Sequence, residues 1–168
     1  EGWSCIARWT GVPLSVVRHL VAEQHYDARA LVDQFLMRVQ GDELLFSHAL
    51  IRDGAYGSML HARRRQLHQS AAVWVLDRDV ALAAEHFERA EDARAGAAYL
   101  QASDAQSGQY HYAEALALVE RALGLADTGD AGFGLRLARA RLLLANGQAA
   151  VSIDAAGAAL DAARRRSL

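Results

Sequence analysis

A single proline stands against alanine at about a fifth of the chain, and that contrast constrains the fold more than any other feature. Alanine is the best helix former and proline the worst, about 3 kcal/mol apart per helical position. A chain so rich in one and so poor in the other is expected to be mainly α. Its 168 residues allow one good-sized core or two small units. With 23% charged residues and a net charge of −2, it carries no electrostatic bias toward nucleic acid or a membrane surface. No apolar run reaches the length of a membrane span. Cys5 is the only cysteine, which excludes an internal disulfide and fits a reducing, cytoplasmic setting. The first residue is Glu1 rather than Met, so the natural chain is expected to begin elsewhere.

Every basic side chain is arginine, and the codon bias of a GC-rich genome is the simplest cause. The chemical consequence is sharper. Without lysine there is no phosphate-loop lysine, no Schiff base and no Ser–Lys dyad.

Along the chain, the first third reads differently from the rest. Trp3 to Trp9 is a short apolar segment ended by Thr10-Gly11-Val12-Pro13. Leu14, Val17, Leu20 and Val21 then recur at helical spacing. Asp27 is placed to cap a helix whose stripe is Leu31, Val32 and Phe35. Leu36 to Val39 and Glu43 to Phe46 flank Gln40-Gly41-Asp42, which predicts a β-hairpin. Three helical segments followed by a hairpin is the order of a winged-helix unit, here spanning residues 1–60.

From His48 onward the pattern is helical. Helices are expected over Ala49–Leu60, with Ile51, Ala55 and Met59 on one face, and over Ala62–Leu76, with Leu67, Ala71, Trp74 and Val75. Val80–Ala90 follows with Leu82, His86 and Phe87 on its stripe, then Ala93 to about Gly108 and Tyr112–Ala126. Leu135–Ala145 and Ala149–Arg166 complete the series. Breaks fall at Asp77 to Asp79, Glu91-Asp92, Ser107 to Gln109, Asp127 to Gly134 and Asn146-Gly147. Helices joined so closely must be antiparallel neighbours, so residues 61–168 read as a helical-hairpin array, an α-solenoid.

Tyr112 to Leu123 and Ala149 to Leu160 can be laid over one another. Both carry small residues where two helices must approach closely: Ala115 and Ala122 in one, Ser152 and Ala159 in the other. The pattern resembles the tetratricopeptide (TPR) repeat, although Gly157 and extra alanines blur the second copy.

A second resemblance rests on motifs in succession. Phe46-Ser47-His48-Ala49-Leu50-Ile51-Arg52-Asp53-Gly54-Ala55-Tyr56 is followed by Arg63-Arg64-Arg65-Gln66-Leu67-His68. Ala84-Glu85-His86-Phe87 and Tyr112-Ala113-Glu114-Ala115 come after. From about Leu14 to Leu160 this resembles bacterial STAND-class signalling ATPases, in which an ATPase core precedes a winged helix and helical repeats. Some end in a LuxR-type DNA-binding domain and others carry a nucleotide cyclase. The resemblance implies that ATP or ADP is bound by a core lying upstream, and that the output domain lies elsewhere in the parent. It also implies a role for His48, in a His-x-Leu context at a helix start, as a contact to the ADP phosphate. A helix N-terminus favours anions, so an imidazole N–H there adds a suitable donor. The competing reading is that His48 only caps the hairpin-to-helix junction.

No catalytic constellation is legible. The seven histidines are scattered, and none pairs with a carboxylate or thiol at metal-ligand spacing. His61 and His68 fall seven apart on one helix, where two histidines without a third ligand more often decorate a surface. Gly54-Ala55-Tyr56-Gly57 lacks the Lys-Ser/Thr of a phosphate loop. Of the arginine clusters, Arg63 to Arg65 opens a helix, where positive charge opposes the dipole, so Glu85, Glu88 or another carboxylate is expected nearby. The other is Arg164 to Arg166. The helix of Asp27 to Phe35 holds only Arg29 against two acids and would repel phosphate. Trp3, Trp9, Trp74, Tyr99, Tyr110 and Tyr112 are expected in the core or at helix crossings, an exposed one marking a partner groove.

The expectation is therefore a non-catalytic sensor arm of a larger signal-transduction ATPase, without cofactor of its own. A protein or small-molecule inducer would bind the repeat face, with no nucleic acid or membrane contact. Apolar end repeats would favour self-association. A stand-alone adaptor and the regulatory segment of a cyclase are the alternatives.

Overall fold

Helix α1 (Leu14–Val21) follows directly on a two-residue strand, β1 (Val12–Pro13). The computed structural model describes residues 11–21, 23–125 and 130–166. The Trp3–Trp9 segment, Cys5 and positions 126–129 of the expected break lie outside the described residues, as do the side chains of Arg165 and Arg166. Next come α2 (Arg29–Asp33), β2 (Met37–Gln40), β3 (Glu43–Phe46), α3 (Ala49–Ser58), α4 (His61–Val75) and α5 (Val80–Arg89). The series ends with α6 (Ala95–Gly108), α7 (Tyr112–Leu125), α8 (Asp130–Ala145) and α9 (Ala149–Arg166). The mainly helical expectation holds.

The expected hairpin is present, with Gln40 opposite Glu43 across a two-residue turn. Gly41 sits at φ 64, the left-handed region that a Gly-first hairpin turn requires. A third strand was not legible. β1 pairs antiparallel with β3, giving the order β1-β3-β2. Two residues carry no period, and Pro13 reads as a breaker; on an edge strand its missing N–H is tolerated.

α2 is shorter than its sequence stripe. Asp27 does accept a hydrogen bond from the Arg29 N–H at 3.0 Å, but the helix ends at Asp33. Phe35 is a correction: it leaves the stripe, adopts φ 57 and is 83% exposed. The Ala49–Leu60 stripe holds in part: Met59 is buried and Ile51 half-buried, but Ala55 is exposed and no residue within α3 itself is buried. Tyr56 and the capping Met59 hold α3 against the first core.

That core gathers Val16, Val17 and Leu20 of α1, Met37 and Leu44 of the sheet, and Leu67 and Ala71 of α4. The second gathers Ala72 and Val75 of α4 with Phe87, Tyr99 and the small faces of α6 and α7. α4 therefore serves both. Beyond it each helix packs on its sequence neighbour, and α6 also reaches α8. The break expected at Asp127 to Gly134 is narrower than read, because α8 begins at Asp130 and takes in Gly132 and Gly134. No described helix is long and apolar enough to cross a membrane.

The two hairpins α6–α7 and α8–α9 turn in the same way. At one constant offset, Tyr110 (φ 64) and Gly147 (φ 78) take the left-handed position. His111 N–H bonds to the Gln106 carbonyl at 3.0 Å, as Gln148 N–H does to Leu143 at 2.8 Å. These six-to-one bonds close the helix ends in a Schellman arrangement. The small residues expected at the crossings, Ala115, Ala122, Ser152 and Ala159, are all buried.

Candidate functional site

His48, singled out from sequence, is the N-cap of α3. Its Nδ1 accepts a hydrogen bond from the Leu50 N–H at 3.2 Å, leaving Nε2 to carry the ring proton. The ring is exposed beside the first turn of α3. The cap is made, and a donor remains available outward.

The other histidines sort in a way that spacing did not foretell. His61 is exposed and meets Glu91 at 3.1 Å. His68, its expected surface companion, is completely buried. Its Nδ1 faces the Nδ1 of His86 on α5 at 2.9 Å, and its Nε2 meets the Tyr56 hydroxyl at 3.1 Å. One polar chain thus runs from α3 through α4 to α5. Burial above all, then His86, Arg89 and Arg64, push the His68 pKa down to about 3. Burial and then Arg89 bring His86 down to about 4, against the opposing pull of Glu85. Both rings are neutral at pH 7. The signal was present in the sequence: His86 lies on the apolar stripe of its helix, and His68, Ala72 and Val75 share one face of theirs.

The arginine expectations are redistributed. Arg65 pairs with Glu91 at 3.3 Å and donates to the Ala90 carbonyl at 2.9 Å, closing the C-terminus of α5. Arg64 lies over the Tyr56 ring at 5.2 Å. Glu88, named as a partner for that cluster, instead meets Arg121 of α7 at 2.7 Å and accepts from the Tyr99 hydroxyl at 2.5 Å. Glu85 lies 3.9 Å from the same Arg121. Arg164 pairs with Asp161 at 3.6 Å.

Of the aromatics, Tyr99 is buried, Trp74 and Tyr112 are half-buried, and Tyr110 is 79% exposed. Tyr110 stands on the α6–α7 turn, edge-on to Tyr112, so it projects from a loop. Gly54 to Gly57 lies inside α3 and forms no loop.

A cleft of about 210 Å³ lies between α2 and the hairpin. Its floor is Leu14, Val32 and Leu44, and its rim carries Asp27, Asp33, Asp42 and Glu43. Arg29, the one cation there, is paired with Asp27 at 3.2 Å. Among the described residues no group of three histidine, cysteine or carboxylate side chains is arranged to hold a metal.

No protein-family model, curated protein or solved structure matches this chain. Its function must be read from its own geometry.

Proposed function

We propose that this chain is a non-catalytic regulatory segment, in which a winged-helix-like unit (1–60) leads into a TPR-like array (61–168) that binds a protein or small inducer. The observation that carries this is the repeated hairpin. Two helix pairs share turn geometry, buried small residues and offset, as stacked repeats require. The sheet order β1-β3-β2, with helices between its first two strands, favours the winged-helix reading of the first unit. Its cleft is rimmed by carboxylates, which opposes nucleic-acid phosphate and directs function toward the array.

Membership of a STAND-class parent, with ATP or ADP bound upstream, rests on the motifs around His48. The free Nε2–H of that residue at a helix start is consistent with an anion contact. The experiment is to read the coding sequence on either side, then measure ADP binding by the longer protein. A Gly-rich loop ending in Lys-Ser/Thr, and ADP bound about tenfold more weakly by His48→Ala, is the expected result. Absence of such a core leaves a helical adaptor. Unchanged ADP affinity removes His48 from the reading, and a flanking cyclase assigns second-messenger output.

Self-association belongs to the same proposal. α9 leaves Ile153 73% and Leu160 51% exposed, a face that a following repeat would cover. Light scattering at rising concentration checks it, and a constant monomer mass would reject it.

A further inference from the structure

α3 is weakly made and lightly held. It contains Gly54 and Gly57, each with open space around it, and none of its residues is buried. Each interior glycine costs about 1 kcal/mol of helix stability relative to alanine. Leu50, in its first turn, is 73% exposed, and only the capping Met59 is buried in the first core. Its link across the molecule is the Tyr56 hydroxyl, bonded to His68. His68 in turn bonds His86, so the chain spans the place where the two cores meet on α4.

Hydrogen-bond chemistry sets what this chain tolerates. In the neutral pair one proton lies between the two Nδ1 atoms, and the Tyr56 hydroxyl satisfies His68 Nε2 in either tautomer. A first added proton goes to His86, the less depressed of the two, which then donates its Nδ1–H to His68 and leaves a buried cation on the pair. Arg64 of α4 and Arg89 of α5 oppose that cation, while Glu85 of α5 favours charge on His86. Among the described residues, α1 and α6 bring no further charged group to either ring. A second proton on the pair would set two N–H groups against each other at 2.9 Å, which the contact cannot survive.

We propose that Tyr56, His68 and His86 form an acid-operated latch, which holds α3 onto α4 and α5 while the imidazoles are neutral and releases it when they are protonated. The inference is independent of the function proposed above. With α3 away, water reaches the pair and raises both values toward the ordinary 6.5, so the open form binds more protons in the acid range below it. Acid therefore favours opening, and neutral pH favours closure. Opening frees the segment that follows the hairpin, and with it the contact between the sheet-bearing unit and the array.

Amide hydrogen exchange on the whole chain, corrected for intrinsic rates, tests this at about pH 7 and about pH 4.5. The expected result is that α3 loses protection about tenfold or more at the lower pH and keeps much less of it than α6 and α7 do, since these weaken only with the whole fold. Equal protection of α3 at both values overturns the latch. So does an equal loss in α3, α6 and α7, which would be global unfolding alone. His68→Leu/His86→Leu is expected to abolish the pH difference, and an undiminished difference in that variant overturns the assignment. Tyr56→Phe, which leaves the imidazole pair intact, is expected to bring α3 exchange at about pH 7 close to the acid level. No change in that variant overturns the role of the hydroxyl.

Discussion

The Ser152 hydroxyl donates to the Ala140 carbonyl at 2.7 Å, tying α9 to α8 where both helices are stripped to small side chains. Ser152 and Ala140 are both buried, so the bond is shielded from water. Ser152→Ala should cost about 1 kcal/mol, the net worth of one such bond. Ser152→Leu should cost more, about 1–3 kcal/mol, because the helices must part to admit it. Urea unfolding of the two variants gives the order directly. A leucine as harmless as alanine would mean that the crossing is not close-packed.

Tyr99 and Arg121 converge on one carboxylate. The Tyr99 hydroxyl and the Arg121 Nε both bond Glu88 Oε2, at 2.5 and 2.7 Å, joining α5, α6 and α7. Tyr99→Phe removes a bond to a charged acceptor and should cost about 1.5 kcal/mol. Arg121→Ala removes a pair with 44% of the arginine exposed and should cost less, about 0.5 kcal/mol. Burial first, then Glu88, holds the Tyr99 phenol above its ordinary 10. Its stabilising effect is complete below pH 10 and fades as pH rises beyond it. Tyrosinate absorbance in an alkaline titration should show Tyr99 ionising only as the chain unfolds.

Phe35 and Gly147 occupy the same kind of backbone position with opposite suitability. Phe35 holds φ 57 while 83% exposed, and Gly147 holds φ 78. Phe35→Gly should raise stability by about 0.5–1 kcal/mol, since little packing is lost and the left-handed penalty disappears. Gly147→Ala should lower it by about 1 kcal/mol. Thermal melts of the pair check both signs. Glu91, at φ 53, is a poorer choice, because its carboxylate also holds His61 and Arg65.

Acid should weaken the whole fold through the imidazole pair. In the folded chain His68 and His86 titrate at about 3 and about 4, against 6.5 when released. Their contribution is complete above pH 6.5 and is lost as pH falls from there through 4, because the unfolded chain binds more protons. Asp92, held low by Arg94, acts in the same sense but only below its ordinary 3.8. Urea midpoints between about pH 7 and about pH 4.5 should therefore fall in the wild type. They should stay flat in His68→Leu/His86→Leu. A wild-type midpoint that does not move would contradict the lowered values.

The sequence by itself determined the helical class, the hairpin and the small-residue crossings. Alanine, glycine and the spacing of apolar residues act within a turn or two, so Tyr112–Leu125 and Ala149–Arg166 are written locally. Position along a stripe likewise marked His86 as interior. Tertiary structure decided the rest. β1 became a strand only because β3 offered it an edge, and Phe35 left its stripe because α2 closed early. The carboxylate of Glu88 meets Arg121, far along the chain, at 2.7 Å. Above all, the imidazole pair exists only where α4 and α5 meet. Two histidines on different helices carry no shared period, and only packing brings their nitrogens within hydrogen-bond distance.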